Sequence, residues 1–247
     1  MRRIYEKPPV IEAFCKVDFA ETDGDFTTWG DFYRKIKDSY PVKTEIPSGI
    51  KFQFKPNSGA INQGEFVKRF IAEDNSQLVQ ASYDSFTFNR LSPYLGYQQF
   101  SKSFADALSI YVETFSPKRF VELSMRYINQ IVIPHDRFVI EEYFVGLVPT
   151  IPENLTEAIG IIHVQVQIAP QIADHFLQVT LRGEPSTVEG KSIFFLDIVD
   201  MFQKEIETDE SNILKIMNDA HENIDHVFES IIEEKLRELF GEKKENG

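Results

Sequence analysis

A chain of 247 residues with 42% hydrophobic and 26% charged residues is long enough to bury a sizeable core without disulfides or metals. Its formal net charge of −13 disfavours a phosphate backbone as partner, so nucleic acid is not expected to bind. The single cysteine, Cys15, rules out an intrachain disulfide and a multi-cysteine zinc site.

The N-terminus, Met1-Arg2-Arg3-Ile4-Tyr5-Glu6-Lys7-Pro8-Pro9, is charged and then broken by proline, unlike a secretory leader. No apolar run approaches the ~18 residues of a membrane span. A cytoplasmic setting without membrane is therefore expected. Ile11, Ala13, Cys15, Val17 and Phe19 alternate with Glu12, Lys16 and Asp18, which predicts a half-buried strand over Val10–Ala20. Cys15 on its apolar face reads as an inert thiol. After Asp23-Gly24-Asp25, Phe26, Trp29, Phe32, Tyr33, Ile36 and Tyr40 recur at helical spacing as far as Pro41.

Ile50–Lys55 alternates as a second strand, and Asn57-Ser58-Gly59 reads as the start of a loop. Residues 66–72 and 78–91 read as paired strands around Asp74-Asn75-Ser76. Tyr97, Phe100, Phe104, Leu108, Tyr111 and Phe115 form one helical stripe, closed by Ser116-Pro117. A long strand follows through Val121, Leu123, Met125, Tyr127, Asn129, Ile131 and Ile133. Residues 135–157 read as a connection with one short helix near 141–145. Strands are then expected over 159–169, 176–182 and 192–199, with a hairpin loop over 183–191.

The chain closes with a helical region over 211–240. Ile213, Met217, Ala220, Ile224, Val227 and Ile231 step by fours and threes as a heptad seam. Packing on the chain's own sheet, with a break near Ser230, is one reading of this helix. Pairing with a protein partner or a second copy, through Ile213, Met217, Ile224, Val227 and Ile231, is the other. From 203 to 247, 13 acidic residues stand against 6 basic ones, so the helix is also the most acidic part of the chain.

The order is β-α-β-β-β-α-β, then β-β-β-α. The expected class is α+β, with mostly antiparallel sheet in two similar halves (1–134 and 158–247, joined by 135–157) and helices on the sheet faces.

Chemical signatures are sparse. His221-Glu222-Asn223-Ile224-Asp225-His226 is one residue too long for the HExxH zinc pattern, since i, i+5 spacing turns the two imidazoles about 140° apart. His163, Gln165 and Gln167 alternate on what reads as a solvated strand face. No glycine-rich phosphate loop and no nucleophile elbow occurs. Neither a metal nor a cofactor is implied, and no catalytic residue is assigned. Asp197 interrupts an apolar run and is expected to be buried with a partner. Arg126 and Asn129 lie in an otherwise apolar strand. An Arg126–Asp197 pair bridging the two halves, or a ligand pocket of Arg126, Asn129 and Asp197 with Arg90 and Tyr94, follows from this. Arg69, Arg90 and Arg182, on or beside strands, are the residues of an expected carboxylate- or phosphate-binding arginine cluster. Lys35, Lys37, Lys43, Lys51 and Lys55 form a conceivable basic patch.

Several segments in order resemble one family: Tyr5-Glu6-Lys7-Pro8-Pro9-Val10-Ile11-Glu12-Ala13; Phe88-Asn89-Arg90-Leu91-Ser92-Pro93-Tyr94-Leu95-Gly96-Tyr97; Met125-Arg126-Tyr127-Ile128-Asn129; Phe195-Leu196-Asp197-Ile198; and Ala220-His221-Glu222 with Phe228-Glu229 and Leu236-Arg237. They are similar to a sporadically distributed bacterial family designated by a serial family number. Tyr97 stands where that pattern has Trp. The resemblance carries over no catalytic residue. Its patchy occurrence implies an accessory or defence-associated gene. The expected function is non-catalytic binding or regulation within a protein complex, with a small-molecule binder or enzyme as the alternative.

Overall fold

The computed structural model describes residues 3–47, 50–55, 58–63, 66–135, 138–147, 161–168, 174–184 and 189–241; side chains are described outside 47–66 and Glu184. The fold is α+β. The strands are β1 (Val10–Ala20), β2 (Val42–Pro47), β3 (Ile50–Lys55), β4 (Ser58–Gln63), β5 (Phe66–Ile71), β6 (Gln77–Ala81), β7 (Ser85–Leu91), β8 (Arg119–Ile133), β9 (Ile162–Ile168), β10 (His175–Glu184) and β11 (Ser192–Glu207). The helices are α1 (Thr28–Ile36), α2 (Tyr97–Phe115), α3 (Glu210–Ile231) and α4 (Glu234–Phe240).

Nine strands form one antiparallel sheet in the order β2-β5-β6-β7-β1-β8-β11-β10-β9. The long pairing of β8 with β11 joins strands from both parts of the chain. The expected antiparallel character is borne out.

Alternation divides the sheet into two faces. Ala13, Cys15, Val17, Phe86, Phe88, Met125, Ile131, Leu196 and Ile198 lie on one side and are buried. Helix α2 packs Phe104 and Tyr111 against Phe86, and Phe100 against Phe88. Helix α1 reaches the sheet through Phe32 on Phe70. Helix α3 lies on β8, β10 and β11 and touches α2. The other face carries half-buried or exposed side chains such as Phe14, Lys16, Arg126, Phe195 and Val199. Burying one face and wetting the other is what the alternation requires of antiparallel strands.

Several expectations are corrected. Residues 78–91 are two strands, because Ser82 and Asp84 make a tight turn in which the Ser82 N–H donates to the Ser85 carbonyl (2.9 Å). β2 was not anticipated: Lys43, Glu45 and Pro47 mask its alternation. β3 lies outside the main sheet and pairs with β4, where a loop was expected. β11 runs past Val199 to Glu207, although Asp200 and the polar residues after Phe202 spoil its apolar pattern. The short helix is a single 3-10 turn at Ile140–Glu142. The C-terminal helical region breaks between α3 and α4, in keeping with the reading that places a break near Ser230; there Ile232 bridges to Phe144 and the Glu233 N–H donates to the Tyr143 carbonyl (2.9 Å).

Candidate functional site

A cavity of about 570 Å³ lies at the end of the helical layer, within the usual size of small-molecule sites. Four elements frame it: the N-terminal arm from Arg3 to Val10, the turn Tyr94–Gln98 before α2, strand β8 and helix α3. The arm is held by main-chain bonds at its far side. The Glu6 and Lys7 N–H groups donate to the Gly241 and Phe240 carbonyls (3.0 and 2.9 Å). Tyr5 packs edge-on against Phe228 and Phe240, and its hydroxyl donates to Glu229 (2.7 Å). Burial, reinforced by that carboxylate, pushes the Tyr5 phenol well above its ordinary pKa. Gly96, at φ +95, lets the chain turn into α2 beside the cavity, a conformation that strains other residues.

The polar wall is a chain of aromatic groups. The Tyr94 and Tyr127 hydroxyls are 3.0 Å apart, and the Tyr127 hydroxyl is 3.1 Å from His221 Nδ1. Tyr97 stacks on the His221 ring at 3.7 Å between centroids and donates its hydroxyl to Asn218. Asn129, buried at the cavity's edge, donates to the Leu196 carbonyl (3.0 Å). These groups offer flat aromatic surface and hydroxyl and imidazole hydrogen bonds in a cavity that opens to solvent past Ile4 and Leu95, suited to orienting a planar polar ligand. Glu6 and Asp225 add carboxylates and Arg3 a guanidinium to the rim.

The residues expected to form one pocket are divided by the sheet. Tyr94 and Asn129 line the cavity. Arg126 and Asp197 lie on the opposite face. There the Arg126 guanidinium makes a bidentate ion pair with Asp197, Nε to Oδ1 at 2.7 Å. The expected pair across the two parts of the chain is thus formed. Asp197, however, is half-buried rather than enclosed, because Phe195 and Val199 share its open face. The hydrogen bonds to Asp197 raise the Arg126 pKa above its ordinary value. Arg126 also sits 5.7 Å from the Phe14 ring centroid. Beside it, Gln80, Asn89 and Glu12 form a hydrogen-bonded row across β6, β7 and β1. Arg90 is buried on the helical side and donates to the Pro93 carbonyl (3.3 Å), so it supports the Tyr94 turn from behind. No arginine cluster forms: Arg69 and Arg182 stand on β5 and β10, far apart in the strand order, and Arg90 points to the other face.

The buried carboxylate is a different residue. Asp200 is fully buried beneath α3. One oxygen is 2.6 Å from His175 Nδ1, and the other accepts from Asn223 Nδ2 at 2.7 Å. The continuing alternation Phe194, Leu196, Ile198, Asp200, Phe202 was the signal for it, and ending the strand at Val199 concealed it. The Tyr127–His221 contact joins residues 94 positions apart and left no sequence signal.

The heptad seam Ile213, Met217, Ala220, Ile224, Val227 and Ile231 is buried within the chain itself. His221 is buried while His226 is exposed, as the i, i+5 spacing demands. His163, Gln165 and Gln167 are exposed on the open face. Cys15 is fully buried, and desolvation pushes its thiol well above the ordinary range. Of the lysines, Lys35 pairs with Glu113 (3.0 Å) and Lys43 caps the Tyr33 ring; the side chains of Lys51 and Lys55 lie outside the described residues. Among the described residues no group of His, Cys, Asp or Glu is arranged to hold a metal, and no helix is long and apolar enough to cross a membrane. No family model and no curated protein matches the chain.

Proposed function

We propose that the protein is a non-catalytic small-molecule-binding or regulatory protein whose ligand occupies the cavity beside Tyr94, Tyr97, Tyr127 and His221. The observation that carries this reading is the conjunction of about 570 Å³ of space with a connected aromatic and polar wall. The ligand is polar and planar, matched to stacked aromatic side chains and to hydroxyl and imidazole hydrogen bonds. The wall holds no activated nucleophile, which favours binding over turnover.

The test is native mass spectrometry of the full chain purified at low salt. A retained small molecule that Leu95→Trp expels supports the reading, because Leu95 lines the cavity yet is exposed enough to enlarge without disturbing the core. If no molecule is retained, and a chemical library raises the melting temperature of wild type and Leu95→Trp alike, the reading fails.

A second reading is action within a protein complex. It draws on the sheet face opposite the helices, where half-buried Phe14, Phe195, Val199 and Met201 accompany the Arg126–Asp197 pair. The seam of α3 does not serve it, because that surface is spent on the chain's own core.

A further inference from the structure

The two edges of the main sheet are built differently. β2, at one edge, carries Lys43, Glu45 and Pro47, and Lys68 on its neighbour β5 pairs with Glu45. Charges and proline on an edge strand are a common protection against pairing with another chain. β9, at the other edge, carries neither charge nor proline among its own residues. The run Ile161-Ile162-His163-Val164-Gln165-Val166-Gln167-Ile168 contains no Asp, Glu, Lys, Arg, Pro or Gly. Among the described residues β9 pairs with β10 alone. Exposed large hydrophobics also flank this edge: Ile161 (72%) just before β9, Ile168 (41%) at its end and Phe176 (50%) on the neighbouring β10.

The strand also reads almost alike in both directions about Gln165. Ile162 answers to Ile168, His163 to Gln167 and Val164 to Val166. An antiparallel two-fold pairing centred on Gln165 therefore sets isoleucine opposite isoleucine, valine opposite valine, and Gln165 opposite its own copy. The unlike pair, His163 with Gln167, joins two hydrogen-bonding side chains. Directly opposed residues in an antiparallel pair share a face. Ile162, Val164, Val166 and Ile168 share the helical side with Leu177, Val179 and Leu181, so the apolar row of one copy would continue into that of the other. His163, Gln165 and Gln167 would join as one row on the open face. Two chains each carrying a net charge of −13 repel over most of their surfaces, and an uncharged strand is where they can meet.

We infer that β9 is a homodimer interface, where two copies join edge to edge into one continuous sheet with both helical layers on the same side. The interface is isologous, as closed two-fold dimers require.

Sedimentation velocity of the full chain over a concentration series tests this. A species of about twice 28.6 kDa is expected. Gln165→Lys places two ammonium groups across the two-fold axis and should raise the dimer dissociation constant about five- to tenfold. Gln165→Glu alone should weaken association in the same way. An equimolar mixture of Q165K and Q165E should restore it, which distinguishes repulsion at the axis from misfolding of either variant. Thr44→Lys, on the protected edge, should leave association unchanged. A wild type that stays monomeric throughout overturns the inference. So does a dimer indifferent to Q165K, or one that Thr44→Lys weakens equally.

Discussion

The Tyr127 hydroxyl stands 3.1 Å from His221 Nδ1, joining the central strand β8 to helix α3 at the wall of the cavity. The same hydroxyl is 3.0 Å from that of Tyr94, so one phenol ties three elements together. Tyr127→Phe keeps the ring and removes both bonds. It should cost about 1 kcal/mol in urea denaturation, the ordinary worth of a buried hydroxyl's hydrogen bonds. It should also weaken the cavity's ligand more than it weakens the fold, read as a loss of the ligand's melting-temperature shift.

Asp200 anchors the underside of α3 through His175 and Asn223. Asp200→Ala leaves a buried imidazole and a half-buried amide each without this partner and should destabilise by about 3–5 kcal/mol. Asp200→Asn retains an acceptor oxygen and should cost less. Equal losses in the two denaturation curves would show that the carboxylate's charge, rather than its acceptors, holds the site.

The Arg126–Asp197 pair is bidentate but open to solvent on one side, with 35% and 20% of the two side chains exposed. A double-mutant cycle with Arg126→Ala and Asp197→Ala should give a coupling of about 1 kcal/mol, reduced in high salt. Removing either residue should leave ligand binding in the cavity intact, since the pair lies on the far face of the sheet.

Met217 tests what the heptad seam does. It is fully buried under the chain's own layers, so Met217→Lys should cost several kcal/mol, about 3–5, at any protein concentration. A seam that paired two chains would instead leave monomer stability untouched and change only the concentration dependence. Urea melts at two protein concentrations separate the two.

Burial raises the pKa of Asp18 above its ordinary 3.8, against the opposing pull of Lys16 at 2.5 Å. A carboxylate with a raised folded pKa binds its proton more tightly folded than unfolded. Its favourable contribution is therefore complete below about 3.8 and is lost as pH rises through the folded value. Asp18→Asn removes this loss. The variant should melt higher than wild type at pH 7, with the advantage shrinking as pH falls toward 4. An advantage that grows on acidification would reverse the assignment.

Much of the fold was legible because period is local. Val10–Ala20 declared itself by alternation, and Tyr97–Phe115 by its aromatic stripe; both have the expected character and bounds. Even the division of the site was present in the parity of the strand: Arg126 and Asn129, three residues apart, must face opposite sides of a sheet. The two therefore cannot line one pocket. β2 and the second half of β11 escaped because charged residues in half-exposed strands blur the alternation that identifies them.

Local pattern sufficed to assign the apolar faces of β1, β8 and α2 and to place Cys15 in the core as an inert thiol. The order of the nine strands was decided only by the tertiary structure. So was the choice of the chain's own sheet as the partner of the α3 seam, and the meeting of Tyr94, Tyr127 and His221 around a cavity. Range separates the two. Periodicity follows from the geometry of a few consecutive residues, whereas a hydrogen bond between residues 94 positions apart depends on register and packing across the whole sheet, which no local pattern encodes.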